Sequence, residues 1–299
     1  MIHELSILIP TRNDVCLQQV SALQQMASGI DGLRYEIIVS DDASTDEESL
    51  RLNAKINQID RCKLLQRTEN TGRAANRNFL ARQAHYDWLL FLDCNVGIPN
   101  ERFLRNYLET SESDVVNGGI FAKTDKSLSN NNLRYMYEKK IETAHTASER
   151  NKRPYQSFRT SNFMVRRSVM MSHTLDESVP GYGYEDVLFG KILCDNKIHI
   201  LHINNPVVIT QFESNEKYVA KVEEAMRTLH ALQDKLKGYS PLLTAADKLR
   251  KTGLINAFKR LFNAKAKPIR TNLTGASPSI KLLNFYKLGY FLTLDDTHA

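Results

Sequence analysis

Four short apolar runs divide the first third of the chain. They are residues 5–14 (LSILIPTRND), 35–45 (YEIIVSDDAST), 62–67 (CKLLQR) and 87–96 (DWLLFLDCNV). Each is short and continuous, as expected of a strand buried in a sheet. Between them, residues 15–28 place Val15, Val20, Leu23 and Met26 at helical spacing. Residues 47–58 read as a second helix, and residues 70–84 (NTGRAANRNFLARQA) open from a loop into a third. Strand and helix alternate, so the expected fold is α/β, a mostly parallel sheet flanked by helices with right-handed crossovers. Such sheets bind ligands at the carboxyl ends of their strands. Thr11-Arg12-Asn13, Asp41-Asp42 and Asp93-Cys94-Asn95 cluster at those ends.

The middle of the chain is less regular. Residues 114–123 (DVVNGGIFAK) and 157–167 (SFRTSNFMVRR) read as strands, and residues 133–150 as a charged helix. Residues 197–210 look like strand material around a turn at Asn204-Asn205-Pro206. Residues 178–193 (SVPGYGYEDVLFGKIL) place Glu185 and Asp186 side by side after a loop of two glycines and two tyrosines. From residue 215, Tyr218, Val222, Ala225, Leu229, Leu232 and Leu236 recur at steps of four and three. That is one apolar face of a helix of about six turns. The face either packs on the domain or forms a coiled contact in a homodimer.

At 42% hydrophobic and 25% charged residues, the chain is neither disordered nor fibrous. Its formal charge of +6 is unevenly spread: from residue 240 onward there are ten Lys/Arg against three Asp/Glu. A basic tail favours a polyanionic surface, while a body with no basic stripe argues against nucleic acid as the partner. The four cysteines are scattered with no C-x-x-C pair, which suits a reducing compartment without disulfides or a thiolate metal site. The first residues carry no signal-peptide pattern, and no stretch of 18 apolar residues occurs, so a cytoplasmic setting is expected.

The strand ends suggest chemistry. A carboxylate accepts from ribose hydroxyls or a base N–H, and a guanidinium meets phosphate; Asp41 or Asp42 suits the first role, Arg12 or Arg73 the second. SDDAST by itself reads equally as a turn with helix caps at Ser44 and Asp46. Alternation along a strand would aim Asp93 and Asn95 the same way, and two oxygen ligands there suit Mg²⁺ or Mn²⁺ bridging a diphosphate.

Taken in order, SILIPTRND, VSDDASTD, NTGRAANRN, FLDCN and GYGYED resemble the family 2 glycosyltransferases of GT-A fold, especially bacterial ones that build surface polysaccharides. The resemblance covers residues 4–215. It implies a Rossmann-like GT-A domain over 1–214, with a nucleotide-binding half (1–96) and an acceptor half (97–214), followed by a helical basic extension (215–299). It implies that Pro10, Thr11, Arg12, Asp41 and Asp42 hold the nucleoside, and that the loop from Gly72 through Arg73 to Arg77 lies close to the nucleotide. Asp93 and Asn95 would hold ribose and the metal-bound diphosphate. Asn162 and Phe163 would lie near the sugar. Glu185 and Asp186 would supply the catalytic base, Asp186 taking the acceptor proton and Glu185 orienting the acceptor. Two adjacent carboxylates also push one pKa upward, toward a working base. Tyr182 and Tyr184 are read as a sugar-stacking wall or as packing aromatics.

Two departures weaken the metal reading. Asn95 stands where the family usually has Asp, and Ile209 where relatives often carry a metal-binding His; His202 is the nearby substitute. The expected activity is inverting transfer of a hexosyl or N-acetylhexosaminyl group from a nucleotide sugar, UDP-linked, to a saccharide or lipid-linked acceptor, with Mn²⁺ or Mg²⁺. The alternative is a catalytically weakened module that binds nucleotide sugar or a partner enzyme. In the tail, Leu254, Ile255, Phe258, Leu261 and Phe262 share one helical face beside Lys259, Arg260, Lys265 and Lys267. That pattern reads as a peripheral anchor on the inner face of the membrane or as a packed helical subdomain.

Overall fold

A computed structural model describes residues 1–110 and 112–297. The chain divides into two compact units. The first comprises residues 1–123, 144–177 and 185–210; the second comprises 124–143, 178–184 and 211–299.

The first unit contains the strands β1 (Glu4–Thr11), β2 (Arg34–Asp41), β3 (Cys62–Gln66), β4 (Trp88–Leu92), β5 (Val96–Gly97), β6 (Val115–Asn117), β7 (Ile120–Ala122), β8 (Asn162–Arg166), β9 (Ile200–His202) and β10 (Val207–Ile209). Its helices are α1 (Leu17–Ser28), α2 (Glu47–Asn53), α3 (Arg73–Gln83) and α4 (Phe103–Leu108), then, past a helix of the second unit, α6 (Ala147–Lys152), α7 (Arg167–Ser172) and α8 (Glu185–Asp195). The second unit holds α5 (Leu133–Ile141), α9 (Asn215–Ala231), α10 (Pro241–Lys251), α11 (Ile255–Thr274) and α12 (Ile280–Thr293).

Seven strands form the main sheet in the order β3-β2-β1-β4-β8-β6-β9. β3, β2, β1 and β4 run parallel, and β8 is antiparallel to both neighbours. Both faces are covered: Ile7, Ile9, Ile37 and Leu90 enter one core, and Leu8, Ile38, Leu89 and Phe91 enter the other. Successive side chains point to opposite faces, so burial on both sides erases any polar alternation and leaves the continuous apolar runs of the sequence.

Two expected strands are each divided between two sheets, and the strand material at 197–210 breaks, as expected, around the turn at 204–206. The run at 87–96 stops at Leu92 and resumes as β5; 114–123 breaks into β6 and β7; 197–210 breaks into β9 and β10. β5, β10 and β7 form a separate three-stranded sheet. The break between β6 and β7 falls at Gly118 and Gly119. A Cβ on Gly118 would collide with the Asn205 carbonyl and the Tyr107 hydroxyl, and Gly119 has φ +88°. Only glycine adopts that bend at so crowded a point.

In the second unit, Leu133, Val219, Val222, Phe262, Ile269, Leu273, Leu283 and Tyr286 form one core. Of the apolar face expected on residues 218–236, Val222, Leu229, Leu232 and Leu236 are buried and Tyr218 and Ala225 half-buried; Val219 and Met226 are buried beside them, and the helix itself ends at Ala231. α11 and α12 of the same chain cover it. Phe262 is buried here and Phe258 lies 5.1 Å from Phe285, whereas Leu254 and Leu261 stay exposed at 57% and 53%. The expected tail face is therefore split between packing and solvent. No helix among the described residues is long and apolar enough to cross a membrane.

Candidate active site

The site begins where β1 and β2 end. Asn13 turns the chain at φ 56° and Ala43 at φ 57°. The Asn13 Oδ1 accepts from the backbone N–H groups of Thr45 (2.7 Å) and Asp46 (3.1 Å), tying the two strand-end loops together. Asp46 then caps α2, its Oδ2 accepting from Ser49 N–H at 2.7 Å. The Ser44 Oγ accepts from Asn13 N–H at 2.7 Å. Pro10 is half-buried, Thr11 is buried, and Arg12 is exposed.

Asp41 and Asp42 are both buried but differ in use. Asp42 holds the loop before α3: its carboxylate accepts from Thr71 N–H (3.1 Å), Thr71 Oγ1 (2.9 Å) and Gly72 N–H (2.8 Å). Asp41 Oδ1 accepts from Ser44 N–H at 2.8 Å, and its Oδ2 is buried without a hydrogen-bond partner. Ser40 Oγ and Asn76 Oδ1 are likewise buried and unpartnered, and the Asn76 side-chain amide donates to the Ser40 carbonyl at 3.1 Å. Unsatisfied buried polar atoms are costly. Ser40 and Asn76 lie on one face of β2 and Asp41 on the other, so the open Asp41 Oδ2 stands apart from that pair.

Gly72, at φ +90°, caps α3. This helix is polar yet buried, because its side chains bond to neighbouring loops rather than to solvent. Asn78 exchanges hydrogen bonds with the Leu175 backbone at 2.8 and 3.0 Å. Arg77, buried to 1% exposure, donates to Asp93 Oδ1 at 2.5 Å. Arg73 donates from Nε to Glu185 Oε1 at 2.6 Å and reaches Asp93 Oδ2 at 3.8 Å. Arg73 thus links the end of β4 to the start of α8.

Glu185 and Asp186 occupy the first turn of α8, where the helix dipole favours negative charge. Glu185 is buried, with Oε2 unpartnered. Asp186 Oδ1 accepts from Val187 N–H at 2.8 Å. Burial, then the adjacent Glu185 charge, raises the Asp186 carboxyl to about 6, against the pull of Arg159, Val187 N–H and Arg73. Arg159 stands inside a run read as strand, and its neighbours Ser157, Phe158, Thr160 and Ser161 give no sequence signal for its place near Asp186.

The candidate metal ligands are not brought together. β4 ends at Leu92, so strand alternation does not govern Asp93 and Asn95; Asp93 is half-buried between two guanidiniums and Asn95 is exposed. His202 is buried, its Nδ1 accepting from Arg150 Nε at 3.0 Å and its Nε2 donating to the Pro154 carbonyl at 2.9 Å. Burial lowers its pKa to about 4. Among the described residues no group of three or more His, Cys, Asp or Glu side chains can hold a metal ion. One carboxylate already in two ion pairs, an exposed amide and a histidine with both nitrogens engaged do not fit a divalent-cation site.

Asn162 and Phe163 belong to the interior, not to a sugar-facing surface. Asn162 donates to the carbonyls of Gly119 (2.8 Å) and Asn205 (2.9 Å) and accepts from the Tyr107 hydroxyl (2.7 Å). Phe163 is fully buried and stacks on Phe91 at 4.9 Å.

The profile of the family described as "Glycosyl transferase family 2" matches residues 6–173. An uncharacterized glycosyltransferase of Haemophilus influenzae is 36% identical over 101 residues, a match that spans 33% of this chain and 38% of that relative's length. Among solved structures, the mannosyltransferase PcManGT from Pyrobaculum calidifontis, in complex with GDP-Man and Mn²⁺, is 14% identical and aligns over 97% of this chain and 80% of its own, with a TM-score of 0.55. S. aureus TarS 1-349 in complex with UDP-GlcNAc is 17% identical over 99% of this chain and 91% of its own, with a TM-score of 0.49. The likeness to PcManGT is one of fold.

Proposed function

The chain belongs to glycosyl transferase family 2, and from that premise we propose that it transfers a sugar from a UDP-linked donor to an acceptor hydroxyl, with inversion at the anomeric carbon. The observation that carries this reading is the Arg73 bridge between Glu185 and Asp93, beside an Asp186 whose carboxyl titrates at about 6. A base titrating near neutrality is suited to taking a proton from a hydroxyl. In the reaction, the acceptor oxygen attacks the anomeric carbon, its proton passes to Asp186, and the bond to the diphosphate breaks. The electron pair of that bond leaves with the nucleoside diphosphate.

Arg73, with 43% of its side chain exposed, is the cation placed to meet the leaving phosphate. Arg77, nearly fully buried, acts through Asp93, which it holds in place. The unpartnered Asp41 Oδ2 is assigned to the nucleoside, and Asp42 to the shape of the loop at Thr71 and Gly72. PcManGT is in complex with Mn²⁺, but Asp93, Asn95 and His202 do not form a divalent-cation site in this chain, so the charge at the diphosphate is assigned to Arg73.

The acceptor belongs to the same reading: a saccharide or lipid-linked sugar of a surface polysaccharide, met at the inner face of the membrane. Leu254 and Leu261 support surface attachment, because they are exposed among Lys251, Lys259 and Arg260.

Thermal-shift titration with UDP- and GDP-sugars, with Mn²⁺ and with EDTA, tests the proposal. Ligand at a hundredfold over Kd stabilises a fold by about 2.7 kcal/mol. A UDP-sugar shift with donor turnover in EDTA supports the arginine reading, and turnover only with Mn²⁺ supports the metal. Binding without turnover favours a non-catalytic module, to which the neutral Asn95 also points. No shift with any nucleotide sugar would overturn the proposal.

A further inference from the structure

The second unit contains a pocket of about 210 Å³, lined in part by the Tyr182 and Tyr184 that the sequence offered as a sugar-stacking wall or as packing aromatics. Its lining includes Tyr182, Tyr184 and Tyr218, with Arg134, Lys221 and Lys287 as cations and Glu138 as the carboxylate. The volume is below the roughly 300–1,000 Å³ of sites for drug-sized ligands, so it suits one small group.

The wall of this pocket is built, not incidental. The loop carrying Tyr182 and Tyr184 lies flat on α9: a Cβ at Gly183, which has φ +89°, would stand 3.0 Å from the Ala225 Cβ. Tyr182 N–H donates to Glu224 Oε1 at 2.8 Å, pinning the loop. Tyr184 has φ 65°, a conformation costly for a bulky residue and one that clusters at ligand sites. Burial keeps the Tyr218 hydroxyl protonated, as a neutral donor.

Charge selects the ligand. Lys221 Nζ lies 5.5 Å from the Tyr182 ring centroid and 3.2 Å from Glu213 Oε1, and Arg134 also pairs with Glu213. Lys287 is different: its Nζ lies 4.4 Å from the Tyr137 ring centroid, and among the described residues it forms no ion pair, while Glu138 is the carboxylate in the lining that an anion must stay clear of. A half-buried ammonium held only over an aromatic face leaves capacity for an anion. Tyrosine faces accept the apolar side of a sugar ring, and their hydroxyls meet its polar edge.

We propose that this pocket is a subsite for one anion-bearing sugar of the acceptor, carrying a phosphate or a carboxylate. The identification of the ligand as acceptor rests on the transferase reading above, since Tyr184 immediately precedes Glu185 and Asp186 in the chain.

The test is calorimetric titration of the full chain with glucose 6-phosphate, glucuronate, glucose and inorganic phosphate, with UDP titrated in parallel. The expected result is that one anionic sugar binds at least tenfold tighter than both glucose and inorganic phosphate; which one identifies the anion. Lys287→Gln should weaken that sugar at least fivefold and leave UDP affinity unchanged. Tyr218→Phe, which keeps the ring, should weaken it less. Equal binding of glucose and the anionic sugars, binding of phosphate alone as tight as sugar phosphate, no binding of any probe, or indifference to Lys287→Gln would each overturn the subsite. Failure of UDP to bind bears instead on the transferase reading, because UDP is not the ligand of this pocket.

Discussion

Arg73 Nε lies 2.6 Å from Glu185 Oε1, across 112 positions of the chain. The same guanidinium stands 3.8 Å from Asp93 Oδ2. One side chain at the start of α3 therefore joins the end of a parallel strand to the acidic first turn of α8.

Asp186→Asn is expected to lower kcat by about 10²–10⁴, the usual contribution of a general base, with UDP affinity nearly unchanged. In the wild type, kcat/KM should rise with pH through about 6 and then level, because the base must be deprotonated. Stability runs the opposite way. The folded pKa lies above the unfolded one, so the stabilisation from the protonated carboxyl is full below about 4 and lost as pH rises through about 6. The Asn variant should consequently melt higher than the wild type at pH 8. Near-normal turnover would refute the base assignment.

Asp41→Ala and Asp42→Ala should separate. Asp42→Ala leaves the N–H groups of Thr71 and Gly72 without their acceptor; both residues are exposed and can turn to water, so each lost bond costs about 0.5–1.5 kcal/mol. It should lower the urea midpoint. Asp41→Ala removes one loop bond and the unpartnered oxygen, so it should weaken UDP binding at least tenfold with a smaller loss of stability. Matching effects of the two variants on UDP affinity would contradict this division.

Arg77→Met should destabilise the fold by about 1.5–3 kcal/mol, the contribution of a hydrogen bond to a charged group, because the half-buried Asp93 carboxylate loses its closest partner but keeps Arg73 at 3.8 Å. Adding Asp93→Asn to that variant should recover part of the loss. Equilibrium unfolding of the four proteins in the double-mutant cycle measures the coupling, and a coupling near zero would remove Arg77 as the residue that positions Asp93.

His202 predicts an acid-sensitive fold without a metal role. Its folded pKa of about 4 lies below the unfolded value of about 6.5, so its contribution is full above 6.5 and is lost as pH falls toward 4. His202→Gln should flatten the fall of the urea midpoint across that window and leave any response to Mn²⁺ unchanged. A Mn²⁺ response abolished by this substitution would instead make His202 a ligand.

Much of the fold was legible because local signals and tertiary placement agreed. The apolar runs at 5–14 and 35–45 carry no polar alternation, since the sheet is covered on both faces, and their ends carry the charges because strand ends are where backbone and side chains stop packing. Asp46 could be read as a cap from its place before a helix, and it is one. The break in 197–210 was legible as a turn at Asn204-Asn205-Pro206, but the division of 114–123 between two sheets was not. The crowding at Gly118 comes from the Tyr107 hydroxyl and from the carbonyl of Asn205, which is remote in sequence.

The sequence by itself determined the alternating architecture, the family and the residue types at the strand ends, because periodicity, chain order and motif spacing are local properties. The tertiary structure alone decided how those residues are used. Asp41 and Asp42 are neighbours with the same chemistry, yet one clamps a loop and the other keeps an open oxygen. His202 spends both nitrogens on Arg150 and Pro154, and Tyr182 and Tyr184 line a pocket with Lys287, about a hundred positions away. Hydrogen-bond capacity is finite and is filled by whichever partners folding brings within about 3 Å, which spacing along the chain does not record.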